Sequence, residues 1–200
     1  MQIRVCGMDP SLRNWGIVFG MYDTETQKLE ISQLSVTNPT LPEGKQVRQN
    51  SKDISAAFQL YSAARIACEG THAVFVEVPV GSQSARSMAS YGVCVGVLGA
   101  LRGQGIPFYE MTPTEVKLAG FGKPTATKQQ MITWAMNAHP EAPWPMYSRN
   151  GKLHVTEAKA EHMADALGAI YAGIQSNSFQ QYLNLIDRKQ NANLFEPNRN

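Results

Sequence analysis

An apolar run that ends in a carboxylate constrains this chain more than any other stretch. Residues 3–8 read as a strand, and they run straight into Asp9. Pro10 then removes a ladder donor, so the strand must end or turn there. A second apolar run, residues 15–21, follows at once and reads as the returning strand of a hairpin. An aspartate at the inner end of a strand is costly to desolvate unless a hydrogen-bond network, a cation or a metal ion compensates. Alone, Asp9 reads best as a residue that bonds its own turn. Acids in matching places further along shift the reading towards a metal ligand.

The chain beyond the hairpin predicts an α/β domain. Residues 28–36 alternate weakly through Leu29, Ile31, Leu34 and Val36, as a third antiparallel strand. Residues 37–50 form a loop, and 51–68 an amphipathic helix closed by Gly70. Residues 73–78 are nearly all apolar, as in a strand buried on both faces, yet Glu77 stands inside them. A helix over 85–102 carries Gly92, Gly96 and Gly99. Glycines cost helix stability relative to alanine, so close packing within the chain or a seam with a second copy must require them. A short strand is expected at 106–109. Thr112-Pro113-Thr114-Glu115 starts a helix to about 119, and Thr125 or Thr127 caps another to 137.

Residues 139–150 hold three prolines and two aromatics and read as an irregular insertion, with Trp144 and Tyr147 available for stacking. His139 and His154 read as surface residues. The last strong helix covers 156–175, with an apolar stripe of Met163, Ala166, Leu167, Ile170 and Ile174. His162 and Asp165 stand at i,i+3 beside that stripe and can point at one locus. The domain is expected to span 1–175. Residues 176–200 then form an extension with a short helix over 179–189 and a disordered tail.

The net charge of +2 neither demands nor excludes a nucleic-acid partner, because a local basic face matters more than the sum. Cys6, Cys68 and Cys94 lie in apolar surroundings without metal spacing, which predicts buried free thiols in a reducing compartment. With no visible signal peptide and no apolar run of spanning length, the expectation is a cytoplasmic protein with no membrane partner.

Acids therefore sit on the first strand, the fourth strand and the last helix. If the fourth strand lies parallel beside the first, Asp9 and Glu77 become neighbours and the helix can dock Asp165 against them. Three converging carboxylates repel one another and persist chiefly when divalent cations neutralise them; hard oxygen ligands suit magnesium. Two such ions about 4 Å apart serve phosphodiester hydrolysis.

Gly-Met-Asp-Pro-Ser-Leu…Gly at 7–16, Val-Glu-Val at 76–78, Thr-Pro-x-x-Val-Lys at 112–117 and Ala-x-x-x-Ala-Asp-Ala-Leu-Gly at 160–168 occur in register. Together they resemble RuvC, the Holliday-junction resolvase branch of the RNase H-like nucleases, over residues 1–175. The resemblance implies an α/β fold, a five-stranded mixed sheet flanked by helices. It implies a homodimer that nicks four-way DNA junctions in pairs, using two magnesium ions per site with manganese able to substitute. Asp9, Glu77 and Asp165 resemble the family's metal-binding catalytic carboxylates. His162 occupies a position that is aspartate or histidine in the family, where it would ligate metal or handle a proton, with Glu161 its competitor. Lys117 and Lys128 resemble basic residues that meet the DNA backbone, and Arg13, Arg86 and Lys123 extend that face by position. Val80, after Pro79, stands where many members carry an aromatic residue. The divergence suits a phage-like member acting on broader branched DNA.

Three other readings compete. An RNA or RNA–DNA hybrid nuclease would use the same acids. A non-catalytic junction-binding protein would gain by losing them. The actin-like ATPase fold also opens on Gly-x-Asp, but it wants a glycine where Ser11 stands.

Overall fold

The computed structural model describes residues 1–194, with side chains to residue 188. Strands β1 (Gln2–Asp9), β2 (Trp15–Asp23) and β3 (Lys28–Thr37) form an antiparallel meander in which Asp9 faces Gly16. After helix α1 (Gln49–Cys68), strand β4 (Ala73–Glu77) returns parallel to β1, with Met8 beside Val76. Helix α2 (Ala85–Arg102) crosses to β5 (Phe108–Met111), which pairs parallel to β4. The result is a five-stranded mixed sheet in the order β3-β2-β1-β4-β5.

Alternation along the strands divides the core in two. Ile3, Val5, Ala73 and Phe75 face helices α3 (Pro113–Phe121), α4 (Lys128–Ala138) and α5 (Glu157–Ile174). Cys6, Met8, Val74 and Val76 face α1 and α2. Helices cover both sides of β4, which is why that strand reads as an unbroken apolar run. The three cysteines are buried and free. Among the described residues, no helix is long and apolar enough to cross a membrane.

Helix α5 lies unusually close to the sheet because small residues let it. A Cβ added at Gly7 would fall on the carbonyl oxygen of Ala166, and one at Gly173 inside the ring of Phe75. Gly92, Gly96 and Gly99 of α2 behave differently: an added Cβ meets nothing within 4 Å. Packing within the chain therefore does not require them.

Several expectations are corrected. Strand β5 begins at Phe108, since Pro107 has no N–H for the ladder, although its carbonyl accepts from Val74 N at 2.9 Å. Thr127, not Thr125, caps α4 through a capping box with Gln130. The insertion contains a hairpin, β6 (Met146–Arg149) and β7 (Lys152–Val155). Asn150 and Gly151 turn it with φ of 53° and 71°, as a type I′ turn requires. His139 is buried, not on the surface, because it ends α4 against α5 and its Nε2 lies 2.9 Å from the Tyr171 hydroxyl. Trp144 is buried too and donates to the His139 carbonyl, so its ring is not free to stack.

The core does not end at residue 175. Helix α6 (Asn177–Leu194) begins earlier and runs further than expected, and Phe179 packs edge-on against Phe75 at 5.0 Å with no exposed surface. Leu183, one turn on, joins it in the core. The disordered tail expected at the C-terminus lies, from residue 195, outside the described residues.

Candidate active site

The period-two geometry of strands places the two strand acids together. Ile3, Val5 and Gly7 point towards α5, so Asp9 continues that face at the end of β1. Ala73 and Phe75 point the same way, so Glu77 does so at the end of β4. Since Met8 pairs with Val76, Glu77 comes to lie beside Asp9. Gly16, directly across from Asp9, supplies the third element. A side chain there would collide with the His162 carbonyl, so the glycine is what lets α5 settle at the strand end. His162 Nδ1–H then donates to Asp9 Oδ2 at 2.6 Å, with the two side chains 14% and 15% exposed. Asp165 follows one turn further along α5.

This crowding is electrostatically costly. Burial, then the charges of Asp9 and Asp165, push the Glu77 carboxyl up to about 8, against a smaller opposing effect of Lys117. Burial and Asp9 push Asp165 up to about 7, while His162 and Lys117 pull the other way. Burial disfavours a charged His162, but the hydrogen bond to Asp9 and the charges of Asp9, Glu161 and Asp165 outweigh it and raise the ring above the ordinary histidine value. A cluster of acids held at such cost, at the carboxyl ends of parallel strands, is arranged for chemistry more than for stability.

No protein-family model matches the chain. A curated relative does: the crossover junction endodeoxyribonuclease RuvC of Anaeromyxobacter dehalogenans (strain 2CP-C) is 33% identical over 133 residues, 66% of this chain and 66% of the relative. The chain belongs to the RuvC family. Solved RuvC structures agree in fold. Thermus thermophilus RuvC superposes with a TM-score of 0.61 at 18% identity, over 91% of this chain and 97% of that one. T. thermophilus RuvC in complex with a Holliday junction substrate gives 0.60 at 16% identity, covering 86% and 94%. The RNase H-like sheet expected from the motifs is thus the sheet this RuvC-family chain has.

The remaining residues singled out from the sequence fall into three groups. Lys117 acts on Glu77 and Asp165 from α3. Lys128 donates to Glu161 at 3.0 Å, which ties α4 to α5 beside the cluster. Glu161 also lies 3.6 Å from His162 Nε2, so it flanks the histidine. Arg13 and Lys123 are exposed and, among the described residues, form no ion pair. Arg86 needs correction: its guanidinium grips Asp53 of α1 at 2.6 and 2.7 Å, so its charge is spent within the chain. Val80 is exposed in the loop after Pro79.

The donor chemistry of Asp9, Glu77 and Asp165 fits a hard divalent cation, which would relieve the repulsion that raises the two acids. The side chains do not form a ready cage, however. Asp9 is turned onto His162, and among the described residues no three His, Cys, Asp or Glu side chains are arranged to hold a metal ion.

Proposed function

We propose that this chain is a structure-selective DNA endonuclease that resolves four-way junctions, and other branched DNA, by paired hydrolysis of phosphodiesters. The observation that carries this reading is the convergence of Asp9, Glu77 and Asp165 at one end of the sheet, at a cost seen in both raised carboxyls. Magnesium, in two ions per site, would be held by those three carboxylates and would supply Lewis acidity and an acidified water. His162 holds a proton at the edge of the cluster and is placed to pass it to the leaving oxygen. With Nδ1 engaged by Asp9, either that proton transfer or ligation of a metal would fall to its Nε2. Lys117 screens the acids from one another and, with Arg13 and Lys123, meets the phosphates that flank the scissile bond.

Paired nicking needs two sites related by a two-fold axis, hence a homodimer. The seam lies on α1 and α2. Ile54 and Phe58 are 71% and 70% exposed, and they border a groove floored by Gly96 and Val97. Such apolar exposure is unfavourable in a monomer and favours burial against the same face of a second copy. A Cβ added at Gly96 meets nothing within 4 Å in its own protomer, so Gly96→Glu directs its charge into the seam. The variant is expected to keep the fold by circular dichroism while reducing the mass by light scattering from twice 22.0 kDa to 22.0 kDa. An unchanged dimer mass would place the seam elsewhere.

The reading as a whole is tested by offering magnesium and one labelled substrate at a time: a four-way junction, a three-way branch, linear duplex and an RNA–DNA hybrid. Preference for the branched DNAs supports it. Cutting of the hybrid alone would move the protein to the ribonuclease branch, and binding without cutting would make it a junction-binding protein.

A further inference from the structure

The β6–β7 hairpin is a second sheet, separate from the five-stranded one. Its base is anchored: Thr156 N donates to the Pro145 carbonyl at 2.7 Å, and Val155 packs on the core. Its two strands are otherwise exposed. Register and alternation sort its side chains. Tyr147 faces His154 and Arg149 faces Lys152, so these four share one side of the ribbon, while Ser148 and Leu153 share the other.

The first side has an unusual make-up. The Tyr147 and His154 rings stack at 5.6 Å with 30° between their planes. Arg149 and Lys152 are like charges directly across the ladder, an arrangement that disfavours the hairpin. Among the described residues neither forms an ion pair, and the sequence has no acid between Glu141 and Glu157. An isolated two-stranded hairpin is marginal in water to begin with. The tip therefore presents two cations with no acidic partner among the described residues, and the surface beside it offers aromatic faces.

Position narrows the ligand. Along α5, Gly173 lies on Phe75, Ala166 on Gly7 and His162 on Gly16. Followed backwards, the helix passes the acid cluster and reaches Thr156, about 9 Å further along its axis. The hairpin springs from that point, beyond the strand ends that carry Asp9 and Glu77. Stacked rings with flanking cations suit unpaired DNA, whose bases present π-faces and whose phosphates present charge.

We infer that the Tyr147–His154/Arg149–Lys152 face of this hairpin binds an unpaired DNA strand adjoining the cleavage site. The inference rests on the endonuclease reading and adds a binding face to it. The test uses the full chain carrying Glu77→Gln to prevent cutting, and a four-way junction with 2-aminopurine at the branch. The parent is expected to bind the junction and quench the probe. Tyr147→Ser is expected to abolish the quenching and weaken binding about tenfold. Arg149→Ser with Lys152→Ser is expected to lower the slope of log affinity against log salt by about 2. Leu153→Ser, on the opposite side, is expected to change neither. A parent that binds, with hairpin variants that keep its affinity, salt slope and quenching, would overturn the inference and leave the endonuclease reading intact. A parent that binds no branched DNA would overturn both.

Discussion

Glu77→Gln is expected to reduce junction cleavage by at least about a thousandfold while making the ion-free protein more stable at pH 8. Both effects arise from one carboxylate. Its charge completes the acid cluster that the proposed chemistry needs, and the same charge is poorly solvated and repelled by Asp9 and Asp165. With Glu77 raised to about 8 and Asp165 to about 7, the folded chain holds these protons more tightly than the unfolded chain does. Stability without metal is therefore greatest below the ordinary carboxylate range. It falls as pH rises towards 8, where the native carboxyls have finally ionised. The raised His162 works in the same direction, since its favourable charge is also lost on raising pH. Glu77→Gln removes the largest share of that slope, so parent and variant should differ most at pH 8 and converge near pH 4. Magnesium should raise the thermal midpoint of the parent at pH 8 by several degrees, and that of the variant by less. Midpoints measured from pH 4 to 8, with and without the ion, check every part of this expectation. A parent more stable at pH 8 than at pH 5 without metal would contradict it.

Gly7→Val is expected to be the most damaging apolar change in the chain. Any side chain at this position lands on the backbone of α5 at Ala166 and on the Ile170 side chain. Backbone cannot yield as a rotamer can, so α5 must lift from β1. That movement opens the core between the sheet and α5 and withdraws His162 and Asp165 from Asp9. A loss of about 3 kcal/mol or more is expected, or a midpoint lower by roughly 10 °C. Cleavage should fail even below that temperature. Gly92→Ala is the matched control, since an added Cβ there meets nothing within 4 Å. Equal midpoints for Gly7→Val and the parent would show that α5 does not depend on this close approach.

What was legible in the sequence was set by local pattern. Asp9 and Glu77 stand out because each ends an apolar run, and strand alternation puts them on one face once β4 lies beside β1. Asp165 stands out because small and apolar residues surround it. What escaped depends on partners distant in the chain. Arg86 reads as a free cation, yet Asp53, 33 residues earlier, neutralises it. His139 sits among prolines that signal loop, and only Tyr171, 32 residues on, explains its burial. Phe179 lies in polar, asparagine-rich sequence and is buried because Phe75 and Tyr109 form its pocket. The hairpin is the exception, since Asn150-Gly151 is a local turn signal that the neighbouring prolines obscured. The role of Gly16 lies between these cases. The motif marks its position, but only the docking of α5 shows why a side chain cannot stand there.

Mapping the nicks made on a four-way DNA junction in magnesium, with both strands of each opposed pair labelled, reads the proposed activity itself. Symmetric nicks on two opposed strands are expected, lost in Glu77→Gln although that variant still binds the junction. Symmetric nicks that persist in Glu77→Gln, or a protein that binds the junction with magnesium and never cuts it, would contradict this expectation.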